Sequence, residues 1–189
     1  MKRILPLAIL ITTIFSVTTY AQFEIGASYE LRDEDPKNGF GIRVQKGILD
    51  QLPIVNLGLR LHASYFSEEN NIDFDNQSGS YSEDLTHYDI GIAAIGGVSI
   101  GLLEPYVGLG LGTENYERAV QDAQNSATPE SGEESSLYWN MLAGAKVTII
   151  PLIKPFVEYR YSVSELEKPE LGDVNSQTGR IMFGVSLSF

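Results

Sequence analysis

Positions 62 and 64 carry the residue types of a nucleophilic pair. The stretch "HAS" sets His62 and Ser64 two apart, and the period of a β-strand puts both on one face. A histidine beside a serine hydroxyl is the minimal base and nucleophile of acyl transfer. A second stretch, "NNIDFDN" at 70 to 76, offers alternating oxygen ligands, yet it lacks the Gly and the closing Glu of a calcium loop. The chain has no cysteine, which excludes disulfides, thiolate metal sites and cysteine nucleophiles. The remaining chemistry is charge. Glu24, Glu30, Arg32, Arg43, Arg60, His62, Asp89, Glu114, Lys146, Glu158, Arg160 and Arg180 fall on one parity of alternating segments, interleaved with Gly, Ser, Asn and Gln.

The elements that must position these residues repeat along the chain. Each is about ten residues, alternates apolar with polar or small, is rich in aromatic and β-branched types, and is bounded by turn chemistry. Eight such segments are predicted: 23–32, 39–47, 54–66, 86–100, 105–116, 137–149, 154–164 and 178–189. The links after segments two, four and six are short, the longest being "GILDQLPI". After one, three, five and seven come polar loops. Long loops on one rim and tight turns on the other are the layout of an outer-membrane barrel.

Parity sharpens that expectation. The face opposite the charges carries Ile25, Tyr29, Leu31, Phe40, Ile42, Leu57, Leu59, Leu61, Tyr65, Tyr88, Ile90, Val107, Leu109, Trp139, Met141, Val157, Tyr159 and the odd residues from Ile181, with almost no charge. The charged face holds five acids and six bases besides His62. In a water-soluble sandwich the apolar face would point inward. Eight strands of such large residues would overfill a small barrel, whereas Gly, Ser and paired charges suit a narrow lumen filled by side chains. The expected fold is therefore all-β, an eight-stranded antiparallel up-and-down transmembrane barrel with a plugged polar lumen.

The termini fit. Lys2 and Arg3, the apolar stretch Ile4 to Val17 and Thr19-Tyr20-Ala21 have the three parts of a secretory signal, so residues 1–21 are expected to be cleaved and 22–189 to form the barrel domain. No later segment is long and apolar enough for a transmembrane helix. The mature chain would keep 11 basic against 25 acidic residues, which argues against nucleic acid as a partner. At the other end "GVSLSF" stops on Phe189 inside a strand pattern. A barrel in lipid can leave no strand edge unpaired, so this last strand is expected to close on the first.

The whole mature sequence resembles the small eight-stranded outer-membrane β-barrel family that includes the OmpA transmembrane domain and OmpX-like proteins. The signal ending TYA before Gln22, "LIKPFVEYRYS" at 152–162, "YVGLGLG" at 106–112 and the terminal "GVSLSF" carry the likeness. The resemblance implies residence in the outer membrane of a Gram-negative envelope as a monomer. Its implied partners are outer-membrane lipid, lipopolysaccharide, periplasmic chaperones and a barrel-assembly machinery that reads Phe189. It brings no single chemistry, because members are linked to membrane integrity, adhesion, serum resistance and occasionally lipid trimming. No second, peptidoglycan-binding domain is expected beside the barrel.

Lipid A deacylases of the eight-stranded class use a His and Ser two apart on a strand, which gives "HAS" its interest. By parity, however, His62 points into the lumen, and the residues after Ser64 do not follow that pattern. A non-enzymatic protein is expected, without cofactor or metal, and with His62 inside an interior hydrogen-bond network. A deacylase-like enzyme using His62 and Ser64 and a narrow small-ion pore are the alternatives. The long-loop rim carries 18 acids against Lys37, Arg118 and Lys168, an acidic surface suited to solvation, to cation bridges with lipopolysaccharide phosphates or to a cationic partner. Finally, pairing Ile149 with Pro155 across the tight link at 150–153 predicts Lys146 opposite Glu158.

Overall fold

The computed structural model describes residues 23–49, 55–73, 80–121, 132–150, 152–164 and 177–189. The expected signal segment lies outside the described residues. Eight antiparallel strands close into one barrel in chain order: β1 (Phe23–Arg32), β2 (Asn38–Leu49), β3 (Val55–Asp73), β4 (Ser80–Val98), β5 (Leu103–Gln121), β6 (Gly132–Val147), β7 (Ile153–Ser164) and β8 (Gln177–Ser188). Among the described residues there is no helix. β8 closes on β1 from Glu24↔Ser188 to Arg32↔Arg180. Phe189 completes the seam, its amide donating to the Phe23 carbonyl at 2.8 Å and the Phe23 amide to its carbonyl at 3.1 Å.

The period-2 pattern decides which way each side chain points. Leu109 on the outer wall is 64% exposed, whereas Arg60 inside is fully buried. The expected outward set is outward: Ile25, Phe40, Leu61, Ile90, Trp139, Tyr159 and Phe183 are all exposed. All twelve expected inward residues are buried. The barrel is thus apolar outside and charged inside, the inverse of a barrel dissolved in water. At the tight turn between β4 and β5, Ile100 bridges Leu103 and Gly101 takes φ +64°, a left-handed conformation that glycine adopts without a Cβ clash.

Two expectations are corrected. First, the strands on one side are longer than alternation suggests. β3 pairs β4 out to Asp73↔Ser80, β4 pairs β5 out to Ser82↔Gln121, and β5 pairs β6 out to Arg118↔Gly132. On the other side pairing ends at Leu31↔Asn38, Gly39↔Phe66 and Tyr138↔Ser164. Much of what reads as loop at 67–85 and 117–136 is therefore a four-stranded sheet raised above the wall. Polar residues fall on both its faces, so the alternation that marks a strand disappears although the backbone ladder continues. Second, Lys146 pairs with Phe156, and Glu158 with Gly144. The register lies two residues from the expected one, a shift that preserves every side chain's face.

The lumen is also less uniformly polar than expected. Ala93, Ile95, Tyr106 and Leu142 form a buried apolar cluster on the β4–β6 wall, and Phe66 and Phe156 are buried inside as well.

Candidate functional site

Inward side chains of all eight strands meet in stacked charge clusters. Nearest the short-turn end, Lys146 Nζ donates to both oxygens of Glu24 at 2.8 and 2.9 Å. Lys154 Nζ lies 3.0 Å from Glu104 Oε1 and 3.5 Å from Glu24 Oε1, closing a square of two lysines and two glutamates. Thr148 Oγ1 donates to Glu104 at 2.7 Å.

Glu158 anchors the next level. Its Oε2 accepts from Arg43 Nη1 at 3.2 Å, from Arg60 Nη1 and from the Tyr106 hydroxyl at 2.8 Å, while Oε1 accepts from Arg160 Nη2 at 3.2 Å. Gln45 takes the remaining fork of Arg60 at 2.9 and 3.1 Å. The Arg43 guanidinium lies over the Phe156 ring. One carboxylate facing three guanidiniums would leave net positive charge in a closed space, so the level above supplies the balance. There Asp89 Oδ2 accepts from Arg180 Nη1 at 2.6 Å, Arg180 also reaches Glu30 at 3.4 Å, and Asp89 Oδ1 lies 4.0 Å from Arg160. His62 Nε2 is 2.8 Å from the Tyr138 hydroxyl, which donates to Asp89 at 3.3 Å. Glycine makes this contact possible: a Cβ on Gly91 would lie 2.5 Å from the Tyr138 hydroxyl and 2.7 Å from His62 Nε2.

Towards the long-loop end, Glu114 accepts from Ser136 at 3.2 Å and from Ser164, and sits 3.3 Å from His87 Nε2. Arg32 lies at this end, between the rings of Phe66 and Tyr116, with Nη2 donating to the Tyr116 hydroxyl. Above it opens a cleft of about 410 Å³ between the 33–37 turn and the raised sheet.

The twelve sequence-predicted lumen residues are thus all inside, and all make polar contacts there. His62 and Ser64 share the lumen side, but the hydrogen bond of His62 goes to Tyr138, and Ser64 Oγ has no hydrogen-bond partner among the described residues. Asn70–Asp73 of the oxygen-rich stretch lie in β3, and 74–76 fall outside the described residues. Lys154 and His87 were missed, although parity could have found them: Lys154 shares the phase of Glu158, and His87 that of Asp89. Glu104, Tyr106 and Tyr138 carried no comparable signal, because single polar atoms at strand ends and on aromatic rings do not stand out in alternation.

A closed antiparallel barrel with an apolar outer belt and a charge-filled lumen is the fold of the small eight-stranded outer-membrane β-barrels. Known structures agree. The fold is similar to a major outer membrane protein from Thermus thermophilus (13% identity, 90% of this chain and 100% of that chain, TM-score 0.69). It is also similar to Neisserial surface protein A (16%, 89% and 97%, TM-score 0.57) and to the N-terminal β-barrel domain of Pseudomonas aeruginosa OprF (18%, 90% and 100%, TM-score 0.56). No family model and no curated protein sequence matches the chain.

Proposed function

We propose that this chain is a non-enzymatic integral protein of the outer membrane, exported by a cleaved signal at 1–21, whose barrel carries an acidic sheet for surface interaction. The raised sheet of β3–β6 is the observation that carries the reading. Its outward face bears Glu117 directly opposite Glu133, and beyond Phe66 β3 has no strand partner on its β2 side among the described residues. The apolar belt supports a lipid surround, because an outer wall of exposed Leu, Ile and aromatic side chains is stable only against hydrocarbon. A lumen crossed by paired charges and closed by Phe66, Tyr106 and Phe156 suits a support better than a steady aqueous pore. The His62–Tyr138 contact favours a structural histidine over a catalytic one.

The expected partners are outer-membrane lipid, lipopolysaccharide phosphates bridged by divalent cations, and the assembly machinery and periplasmic chaperones that would escort the chain and read Phe189. The protein is expected to be a monomer. Because the chain has no cysteine, single replacements label uniquely. Ser67→Cys and Ser135→Cys should react with an impermeant maleimide on intact cells, and Ile149→Cys only after the envelope is breached. The opposite order would invert the orientation, and labelling of none after lysis would remove the membrane reading. In parallel, lipid A from a deletion strain should keep its acylation pattern. A change rescued by the parent but not by His62→Ala would make the protein an enzyme.

A further inference from the structure

The outer wall is not evenly covered. Across the strands one row of outward residues runs Leu57, Gly96, Val107, Ala143, Tyr159, and the next row towards the long loops runs Leu59, Ala94, Leu109, Met141, Tyr161. Ala94 and Gly96 therefore floor a trough on β4, with Leu57 and Leu59 of β3 along one side and Val107 and Leu109 of β5 along the other. A cavity of about 600 Å³ lies over this patch. A second, of about 540 Å³, shares Gly96, Val107 and Ala143 with it and continues to Val55, Val98 and Pro105. Both are within the size range of ligand pockets. The space above Gly96 is open: an added Cβ would meet only Leu57 Cδ2, at 3.5 Å, whereas one on the inward Gly108 would lie 2.6 Å from Ile95. Behind the trough the lumen is apolar too, because Ala93, Ile95, Tyr106 and Leu142 cluster on the same wall.

The trough has a direction. Towards the long loops the next row, Leu61, Ile92, Leu111, Trp139 and Val163, is large throughout and closes it. Towards the short turns the space runs out to Val55 and Val98, the first residue of β3 and the last of β4. From Ala94 to Val98 is about 14 Å along the strand, on the scale of one leaflet of an apolar band about 25 Å tall. The trough is continuous with the belt of exposed Leu, Ile and aromatic side chains, so what covers the belt also meets the trough. Left unfilled in hydrocarbon, its lining would lose dispersion contacts. A second barrel would present a convex wall that rests on the exposed Val107 and Leu109 and leaves the floor uncovered. A straight hydrocarbon chain entering from the short-turn end reaches it.

We propose that the Ala94–Gly96 trough retains one acyl chain of a phospholipid of the periplasmic leaflet, its headgroup at the short-turn end and its chain terminus below Ile92. The inference rests on the membrane reading of the barrel and adds a defined lipid site to it. The test uses the full barrel refolded into bilayers of diphytanoyl phosphatidylcholine, whose methyl-branched chains fit a narrow trough poorly. Trp139→Phe removes the one tryptophan of the chain, and Ile92→Trp sets a fluorescent reporter at the closed end. A straight-chain phosphatidylethanolamine brominated near its chain terminus is then titrated in. Quenching should contain a saturable part at low mole fraction, and bromines near the headgroup should contribute less to it. Gly96→Leu, which fills the open space, should raise the half-quenching mole fraction by about threefold or more, the effect of losing several dispersion contacts, while keeping the gel migration of the folded barrel. Ala94→Leu, on the same floor, serves if the glycine variant does not fold. The proposal is overturned by quenching without a saturable part, by equal quenching in both filled variants, or by stronger quenching from the headgroup bromines, which would bring the chain from the other leaflet. It is also overturned by ready disulfide formation between copies of Ala143→Cys in the bilayer, which would put a second barrel there. A reporter that no brominated lipid quenches at any fraction would overturn the membrane reading itself.

Discussion

Along β5 the chain passes from Tyr106, whose hydroxyl lies 2.8 Å from Glu158 in the closed lumen, to Glu117, exposed on the raised sheet opposite Glu133. One ladder of backbone hydrogen bonds supports both regions, yet their side chains obey different rules. In the lumen every carboxylate must be met by a specific donor, because little water can replace one that is lost. On the raised sheet two acids can stand directly opposed because solvent screens them. The same chemical change should therefore have a large effect in the lumen and a small one on the sheet.

The largest effect is expected at Glu158. Glu158→Gln removes the common counter-charge of Arg43, Arg60 and Arg160. Breaking a buried ion pair costs about 3–5 kcal/mol, so urea unfolding followed by gel migration should shift by about that amount. A loss under about 1 kcal/mol, the value of an exposed pair, would mean that water reaches the lumen and that the contrast with the raised sheet is false.

Next comes the outer wall. Leu109 is the middle of five outward positions between Pro105 and Thr113 on β5, and Leu109→Arg places a charge where the belt is most apolar. About 2–4 kcal/mol of destabilisation is expected in a bilayer, and much less if that wall faces water.

The contrast between the two regions also explains what the sequence makes legible. Alternation shows which side chains face inward, because one side of each strand is apolar throughout the wall. It therefore places Arg60, Asp89 and Lys154 alike inside. It cannot set register, since a slide of two residues leaves every face unchanged, and so Lys146 opposite Phe156 is invisible to it. Nor can it show who meets whom across the lumen: the donors to Glu158 come from β2, β3, β5 and β7, brought together by closure alone. On the raised sheet polar residues occupy both faces, and the strand signal itself is lost between Ser67 and Asp73.

A double-mutant cycle sharpens the lumen side of the comparison. Lys146 donates to Glu24, not to Glu158. Lys146→Met with Glu24→Gln should therefore show coupling within the range of about 0.5–3 kcal/mol for contacting groups, while Lys146→Met with Glu158→Gln should be additive within about 0.5 kcal/mol. Coupling only in the second pair would restore the register expected from the sequence and shift β7 by two residues.

The smallest effect is expected on the raised sheet, where it bears most directly on the difference between the regions. Glu117 and Glu133 are cross-strand neighbours, both exposed, and Glu133 also accepts from the Asn115 amide at 2.9 Å. Directly opposed like charges are unfavourable, and an opposite-charge pair contributes roughly 0.2–1 kcal/mol. Glu117→Lys should therefore stabilise slightly, by no more than about 1 kcal/mol, and the gain should fade as salt is raised from low to physiological strength. A loss of several kcal/mol would mean that Glu117 is held as tightly as Glu158 and that the sheet is packed rather than open. A gain that survives high salt would mean that the pair is shielded from solvent, and the distinction between wall and raised sheet would then not rest on water.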